Sequence, residues 1–580
     1  MAVDGLTPLV SRKSGWLGAG APAQERWLLW LALAFVAVFS LLPAVYLALQ
    51  MGLALLGPTR AAVLATLASN DAWHASQHTL EVGVGGAALA LIYGLVFALF
   101  VSLTPARPRQ WLVFAFVVQA LLPPQVVALA WTQLWLPLKN TLIAQGWDSW
   151  QAISNPLQSR EGIILLLGIH YAPLVFLTVR AGLLNLSPEV IEAARVCGAS
   201  PRSILRRVIL PLVLPALVAG GALAFVSCIG NFGIPAFLGI PGEYLVLPTL
   251  IYRELSGFGP AAIPSALVLS ALVALLAALG MGVQRVILRC GSSEVIATRL
   301  KVPPFHLGRW QTPVAIGLTL WVSLLLLAPL LALLAKSVSP GLGIALTWQN
   351  LSLEHYSYVL LHNDATLRAF VNSVSLSVGS AVVLATVSLF LAYQMAYRRN
   401  VLLRRLMPWI EVPYVIPGVV LSIAMILLYI KPLPLLGWSF YNTLWIIFFA
   451  YLARFLTIQL RPVLSGFMQM PREMLEAAQV FGGSFVSRMW HIVLPLILPS
   501  VTAGALLVML LSLNELTVSA LLWATGTETL GVLVFGLEQG GESAAASAVG
   551  IISIVITLLC MLLASRLGRR LPEGVLPWRA

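Results

Sequence analysis

Four sets of side chains in this sequence have the types and spacing to do chemistry. Asp71, His74, His78 and Glu81 fall on one face of any helix that runs through them. Carboxylates and imidazoles so placed could hold a metal ion, and the solvated polar start of a helix would use the same residues. The second set is a short, charged, alanine-rich stretch, "IEAARVCGAS" at 191–200, lying between long apolar runs; with Glu189 just ahead, it carries Glu192, Ala193, Ala194 and Gly198. The third is its counterpart "LEAAQVFGGS" at 475–484, preceded by Glu473 and carrying Glu476, Ala477, Ala478 and Gly482. The fourth is a group of amides and a carboxylate near the ends of apolar segments: Asn231, Asn514 and Glu515.

Several chemistries are excluded at once. The four cysteines, Cys197, Cys228, Cys290 and Cys560, are scattered, without the paired spacing of a disulfide framework or a zinc site. A P-loop needs a lysine after glycine and before serine or threonine to cradle phosphates. None of Lys13, Lys139, Lys301, Lys336 and Lys431 follows a glycine, although Lys13 and Lys336 each precede a serine. No catalytic residue, cofactor site or metal site is assigned to the chain.

The elements that position these residues are apolar. Of the 580 residues, 59% are hydrophobic and 9% charged, against about a quarter charged in a soluble domain. Runs of roughly 18 or more apolar residues read as transmembrane helices, which satisfy their own backbone hydrogen bonds in lipid. Twelve such spans are expected, at 27–49, 82–103, 111–137, 162–182, 211–231, 263–284, 312–335, 370–397, 406–430, 442–462, 495–518 and 546–565. The fold class is therefore an all-α polytopic membrane protein. The first run is too long for a typical cleaved signal. Cytoplasmic loops retain Lys and Arg, and only Arg60, Lys139, Arg160, Arg253, Lys336, Arg368 and Lys431 fall on the poorer side. Both termini are expected in the cytoplasm, and the net charge of +13 needs no nucleic acid to explain it.

The two alanine-rich stretches then occupy equivalent cytoplasmic loops, after the fourth and the tenth span. Glu192 and Glu476, Gly198 and Gly482, and Pro211 and Pro495 are each 284 residues apart. A separation held over so many positions means two structural copies in one chain. With six spans per half, the copies run parallel rather than inverted. The halves are 1–290 and 312–580, joined by a basic cytoplasmic linker at 291–311. Locally, Ser187 suits an N-cap, Pro188 the first helical turn and Glu189 the positive end of the helix dipole. Gly198 suits the left-handed turn that ends the helix, and Ser200 caps the next one. In the second copy Met470 is a poor cap.

This pattern resembles a known family. E-A-A, then glycine, then an aliphatic-x-Leu-Pro occurs as Glu192-Ala193-Ala194, Gly198 and Val208-Ile209-Leu210-Pro211, and again as Glu476-Ala477-Ala478, Gly482 and Ile492-Val493-Leu494-Pro495. It is similar to the EAA loop of permease subunits in binding-protein-dependent ATP-binding-cassette importers of the MetI-like fold. The resemblance implies that each short helix is a coupling helix for an ATPase subunit. It implies ATP on two partner subunits, a periplasmic or extracellular substrate-binding protein, and a multi-pass location in the bacterial inner membrane. Fused double-length chains with a segment like "GNFGIPAFLGIPGEYLVLPTLIY" (230–252) resemble iron(III) permeases, and similar machinery serves thiamine, phosphonate or polyamine.

Asn231 aligns with Glu515 by the same 284-residue offset, with Asn514 beside it. Polar groups within spans line a cavity or pair, so these three are expected to face a translocation path, or else to be helix ends wetted at the outer surface. The proline breaks "LLPPQ" (121–125) and "EVPYVIPG" (411–418) are expected to border the same path, and Glu411 to pair with Arg404 or Arg405. Two six-span halves also describe a secondary transporter driven by an ion gradient, which would need membrane-embedded acids that are scarce here.

Overall fold

Backbone groups in lipid have no water to bond, so the apolar runs close their hydrogen bonds within helices. The computed structural model describes residues 23–105, 109–147, 153–257, 259, 261–290, 305, 308–340, 347, 349–432 and 437–567, and no strand occurs among them. Ten helices are long and apolar enough to cross a membrane: Glu25–Leu56, Asn70–Leu103, Arg160–Leu184, Pro201–Gly230, Ala262–Leu288, Gly308–Ser337, Asp364–Tyr397, Leu444–Gln469, Phe485–Leu513 and Ser543–Leu563. Two further spans are broken. Trp111–Leu121 meets Pro124–Ala144 at 101°, and Val401–Val415 meets Gly418–Tyr429 at 100°. Taking each bent pair as one span gives twelve. Most spans run several residues beyond the expected edges, because hydropathy marks only the part in lipid. Asn70–Leu103, for example, is about 51 Å long at 1.5 Å per residue, well beyond a bilayer core of about 30 Å.

Both bends are set by proline. Pro123 and Pro417 are the N-caps of the helices that follow, and Ile416, forced off the helical region by Pro417, has ψ of 132°. Glu411, ahead of the second bend, pairs at 2.8 Å with Arg461 of span ten rather than with Arg404 or Arg405. A residue one helix away wins because its guanidinium lies across the packed face, whereas Arg404 and Arg405 lie on the same helix.

The two halves repeat in space. Spans four and ten, the short helices after them, and spans five and eleven correspond by 284 residues; the second and eighth spans correspond by 294, as Thr79 and Ser373 show. Thr79 Oγ1 accepts the Leu247 N–H at 2.8 Å, and Ser373 Oγ accepts the Leu530 N–H at 2.8 Å. The junction assigned to 291–311 lies mostly outside the described residues.

Close helix contacts use small residues, since lipid supplies no hydrophobic drive for association. Span two lies along span four, and a Cβ added to Gly94 would sit 2.6 Å from the Ala172 carbonyl oxygen and 2.8 Å from Val175 Cβ. The first span of each half crosses to the other half. Leu42–Leu56 packs on Gly418–Tyr429, and Gln311–Ser337 packs on Pro124–Ala144. Each is tied down at the turn that follows the other half's second span. Glu25, 1% exposed, accepts two hydrogen bonds of 2.6 Å from Arg398, while Gln311 donates to the Pro105 carbonyl at 2.7 Å.

Candidate functional site

The two alanine-rich stretches fold as matched helices, Pro188–Val196 and Arg472–Val480, between spans four and five and between spans ten and eleven. Each is pinned by one buried aliphatic residue, Ile191 or Leu475, at equivalent positions. Glu189, Glu192, Ala193, Glu473, Glu476 and Ala477 are exposed, and Ala194 and Ala478 partly so. Gly198 and Gly482 end the helices at φ of +78° and +79°, in the left-handed region. The N–H of Ala199 reaches back to the Ala194 carbonyl at 3.0 Å, and that of Gly483 to Ala478 at 3.0 Å. Ser200 and Ser484 then cap the next helices by accepting from Ser203 and Ser487. Ser187 departs from expectation. Its hydroxyl bonds the Glu189 carboxylate instead of a backbone N–H, which holds that carboxyl below its usual range.

Sequence reasoning did not mark the apolar tips of these helices. Val196 and Val480 are 89% and 85% exposed, and Phe481 is 90% exposed. Bare aliphatic and aromatic side chains beside exposed carboxylates make a surface suited to a protein cleft. The two copies are braced differently. Arg195 lies 5.9 Å over the ring of Phe305, whereas Arg488 donates to Gln479 at 3.2 Å.

The polar residues at the ends of spans five and eleven are buried: Asn231 is 3% exposed, Asn514 6% and Glu515 8%. They are not helix ends wetted at a surface. Asn231 Oδ1 accepts from the Ile234 N–H at 2.9 Å, and the Glu515 carboxylate accepts from the Val518 N–H at 2.9 Å. Aligned positions thus perform the same local duty, starting the short helices Gly233–Leu238 and Ser519–Leu522. Asn514 is held by its amide on Thr557 at 2.8 Å, and its carbonyl accepts from Gln125 at 2.9 Å.

These span ends meet the helix bends of the opposite half. A Cβ on Gly230 would lie 3.0 Å from Pro417, and Gln125, just past the first bend, holds Asn514. A layer of rings completes the contact on the far side of the bends from the alanine-rich loops. Phe535 of the second half lies 5.6 Å from Phe232, 5.6 Å from Phe237 and 5.5 Å from Tyr252 of the first. Asn231 and Glu515 do not touch; Asn231 donates to the Tyr171 hydroxyl at 2.8 Å, and beyond Tyr171 stands Arg454, a residue that sequence reasoning counted among loop charges. The 284-residue offset would have found it, because it sets Arg454 opposite the buried His170.

On the polar face at the start of span two, three of the four residues are engaged, and His74 is exposed with its ring 6.3 Å from that of His78. Asp71 pairs with Arg253, Glu81 with Tyr244 at 2.9 Å and Arg160 at 3.5 Å, and His78 stacks on Tyr244 at 3.8 Å. Among the described residues no group of three or more His, Cys, Asp or Glu is placed to hold a metal ion.

With this geometry in place, known proteins give it context. A family model described as "Binding-protein-dependent transport system inner membrane component" matches residues 90–289 and again 366–575. A chain of Sinorhizobium fredii named as a probable ABC transporter permease is 27% identical over 417 residues, covering 69% of this chain and 71% of the relative. A permease of Actinobacillus pleuropneumoniae named for ferric transport is 22% identical over 486 residues, 82% of this chain and 68% of its own. One of Salmonella typhimurium named for 2-aminoethylphosphonate transport is 30% identical over 184 residues, 30% of this chain and 62% of its own.

Proposed function

The chain belongs to the binding-protein-dependent transport system inner membrane components, and from that premise we propose that it forms the whole translocation pathway of an ABC importer in the bacterial inner membrane. Both termini face the cytoplasm. ATP is hydrolysed by two separate subunits, one docked on each coupling helix, through Glu189, Glu192, Ala193, Ala194 and Gly198 in the first half and Glu473, Glu476, Ala477, Ala478 and Gly482 in the second. A substrate-binding protein delivers solute from outside, and Asn231, Asn514 and Glu515 stand where the two halves close the path. The observation that carries this reading is the exposed helix made twice, with the same buried anchor, the same apolar tip and the same left-handed glycine.

The cargo of this reading is ferric iron, supported by the long match to the permease named for ferric transport. A second reading, a phosphonate, is favoured by a specific observation, the guanidinium of Arg454 inside span ten. The assembly is tested by native mass spectrometry of the complex purified from membranes. One copy of this chain with two ATPase subunits is expected. Two copies of this chain around one pore would contradict it.

A further inference from the structure

We propose that Arg454 is the point at which the pathway takes hold of an oxyanion group on the transported solute. The inference rests on the import reading above and names the chemical class of solute that the interior is built to pass.

The two halves correspond position by position around this residue. The offset that aligns the coupling loops also aligns His170 with Arg454 and Asn231 with Glu515. The first half thus holds an imidazole and an amide where the second holds a guanidinium and a carboxylate. Asn231 starts its short helix with a neutral amide as well as Glu515 does with a charge, so local capping does not require the charge at 515. The two charges occur together in one half and are absent together from the other.

Glu515 lies within the field of Arg454, but no hydrogen bond joins the carboxylate to Arg454 Nη1. Both carboxylate oxygens accept from the Val518 N–H at 2.9 Å, and one also from Ser519 at 3.2 Å. Arg454 Nη1 is buried with no hydrogen-bond partner among the described residues. It sits against the second bend, where a Cβ on Gly418 would lie only 2.5 Å from it and 2.9 Å from Thr517 Cγ2. Glycine at the bend is what leaves the guanidinium its place. Tyr171, reaching over from the first half, and Tyr414 and Tyr451 of the second lie within its field.

A guanidinium N–H left unmade inside a membrane protein is unfavourable, and an ionisable group retained there marks a solute path by default. The planar fork of arginine matches carboxylate, phosphate and phosphonate oxygens in pairs, and its charge repels a bare cation. The group stands where the span ends of one half meet the bend of the other, so any movement between the halves exposes or covers it. A phosphonate would supply such an oxyanion, and so would ferric ion travelling in a carboxylate complex.

The test uses proteoliposomes containing the chain with its ATPase subunits and binding protein. Three labelled probes are offered: 2-aminoethylphosphonate, ferric citrate and spermidine. Uptake of one of the first two is expected, and which one identifies the source of the oxyanion. Arg454→Gln should lower that uptake by roughly ten- to a hundredfold, the loss of one charged buried hydrogen bond. Gly418→Ala, which crowds Nη1, should lower it in the same direction. Native assembly with the ATPase subunits, measured on the same samples, reports on the import reading separately and should not change. The decisive variant is Arg454→Gln with Glu515→Gln, which makes the second half neutral like the first. If Arg454 only balances Glu515, the double variant regains wild-type uptake, and the proposal is overturned. If Arg454 holds the solute, the double variant stays as low as the single one. Spermidine uptake that Arg454→Gln leaves undiminished would also overturn it.

Discussion

Valine at both Gly198 and Gly482 will abolish ATP-driven uptake while leaving the chain inserted in the membrane. At φ of +78° and +79° these residues sit where a β-branched side chain is strained, and nothing lies within 4 Å of an added Cβ at either site. The cost is therefore conformational rather than steric. At roughly 1–3 kcal/mol per site, the native turn becomes about 5- to 150-fold less populated relative to alternatives at each loop. The helix then runs on past Val196 or Val480, and the exposed tip points elsewhere. Solute uptake and the stimulation of ATP hydrolysis by loaded binding protein should fall together. Asparagine, which tolerates the left-handed region, should retain much of both. Normal coupling in the double valine variant would refute the role given to these loops.

Gly94→Val is expected to have the largest effect on folding. Its Cβ would meet the Ala172 carbonyl oxygen at 2.6 Å and the Phe176 backbone nitrogen at 3.0 Å. Neither neighbour is the end of a pliable side chain, so spans two and four must move apart along their contact. A cost of about 3 kcal/mol or more follows, at the upper end of overpacking. Thermal unfolding of the detergent-solubilised chain should shift down sharply, and yield from the membrane should fall. Gly317→Val, with nothing within 4 Å of its added Cβ, serves as the harmless control.

The helices were legible in the sequence because a lipid-facing run has one permitted backbone, and the coupling loops because a motif repeated at a fixed separation is visible by eye. The offset of 284 holds from span four to the end of span five. Before span four the offset is 294, since the helix after the first bend, Pro124–Ala144 (21 residues), is longer than its counterpart Gly418–Tyr429 (12 residues), and the earlier spans show no motif to reveal this. The crossing of each first span to the other half was not legible. It depends on Glu25 meeting Arg398 across 373 residues, and a lone carboxylate near the start of a span looks like a helix-dipole residue.

Within the interior, residue type at a span end did not reveal its duty. Asn231 and Glu515 were marked because they are polar, yet their first task is to bond the backbone three residues on, which any buried helix start demands. Arg454 carries no signal of its own in the sequence, because with Arg461 it counts toward the positive charge that sets topology. Burial separates them: Arg461 pairs with Glu411 near solvent, while Arg454 Nη1 is enclosed at the bend.

The central claim is that this chain moves solute only when separate ATPase subunits work its two cytoplasmic helices. Uptake into proteoliposomes measures it directly, with binding protein and loaded substrate outside, ATP inside, and the ATPase subunits either present or left out. The account predicts uptake with the subunits and none without them, whatever proton or sodium gradient is imposed. Gradient-driven uptake by the chain alone would contradict it and place the protein among secondary transporters.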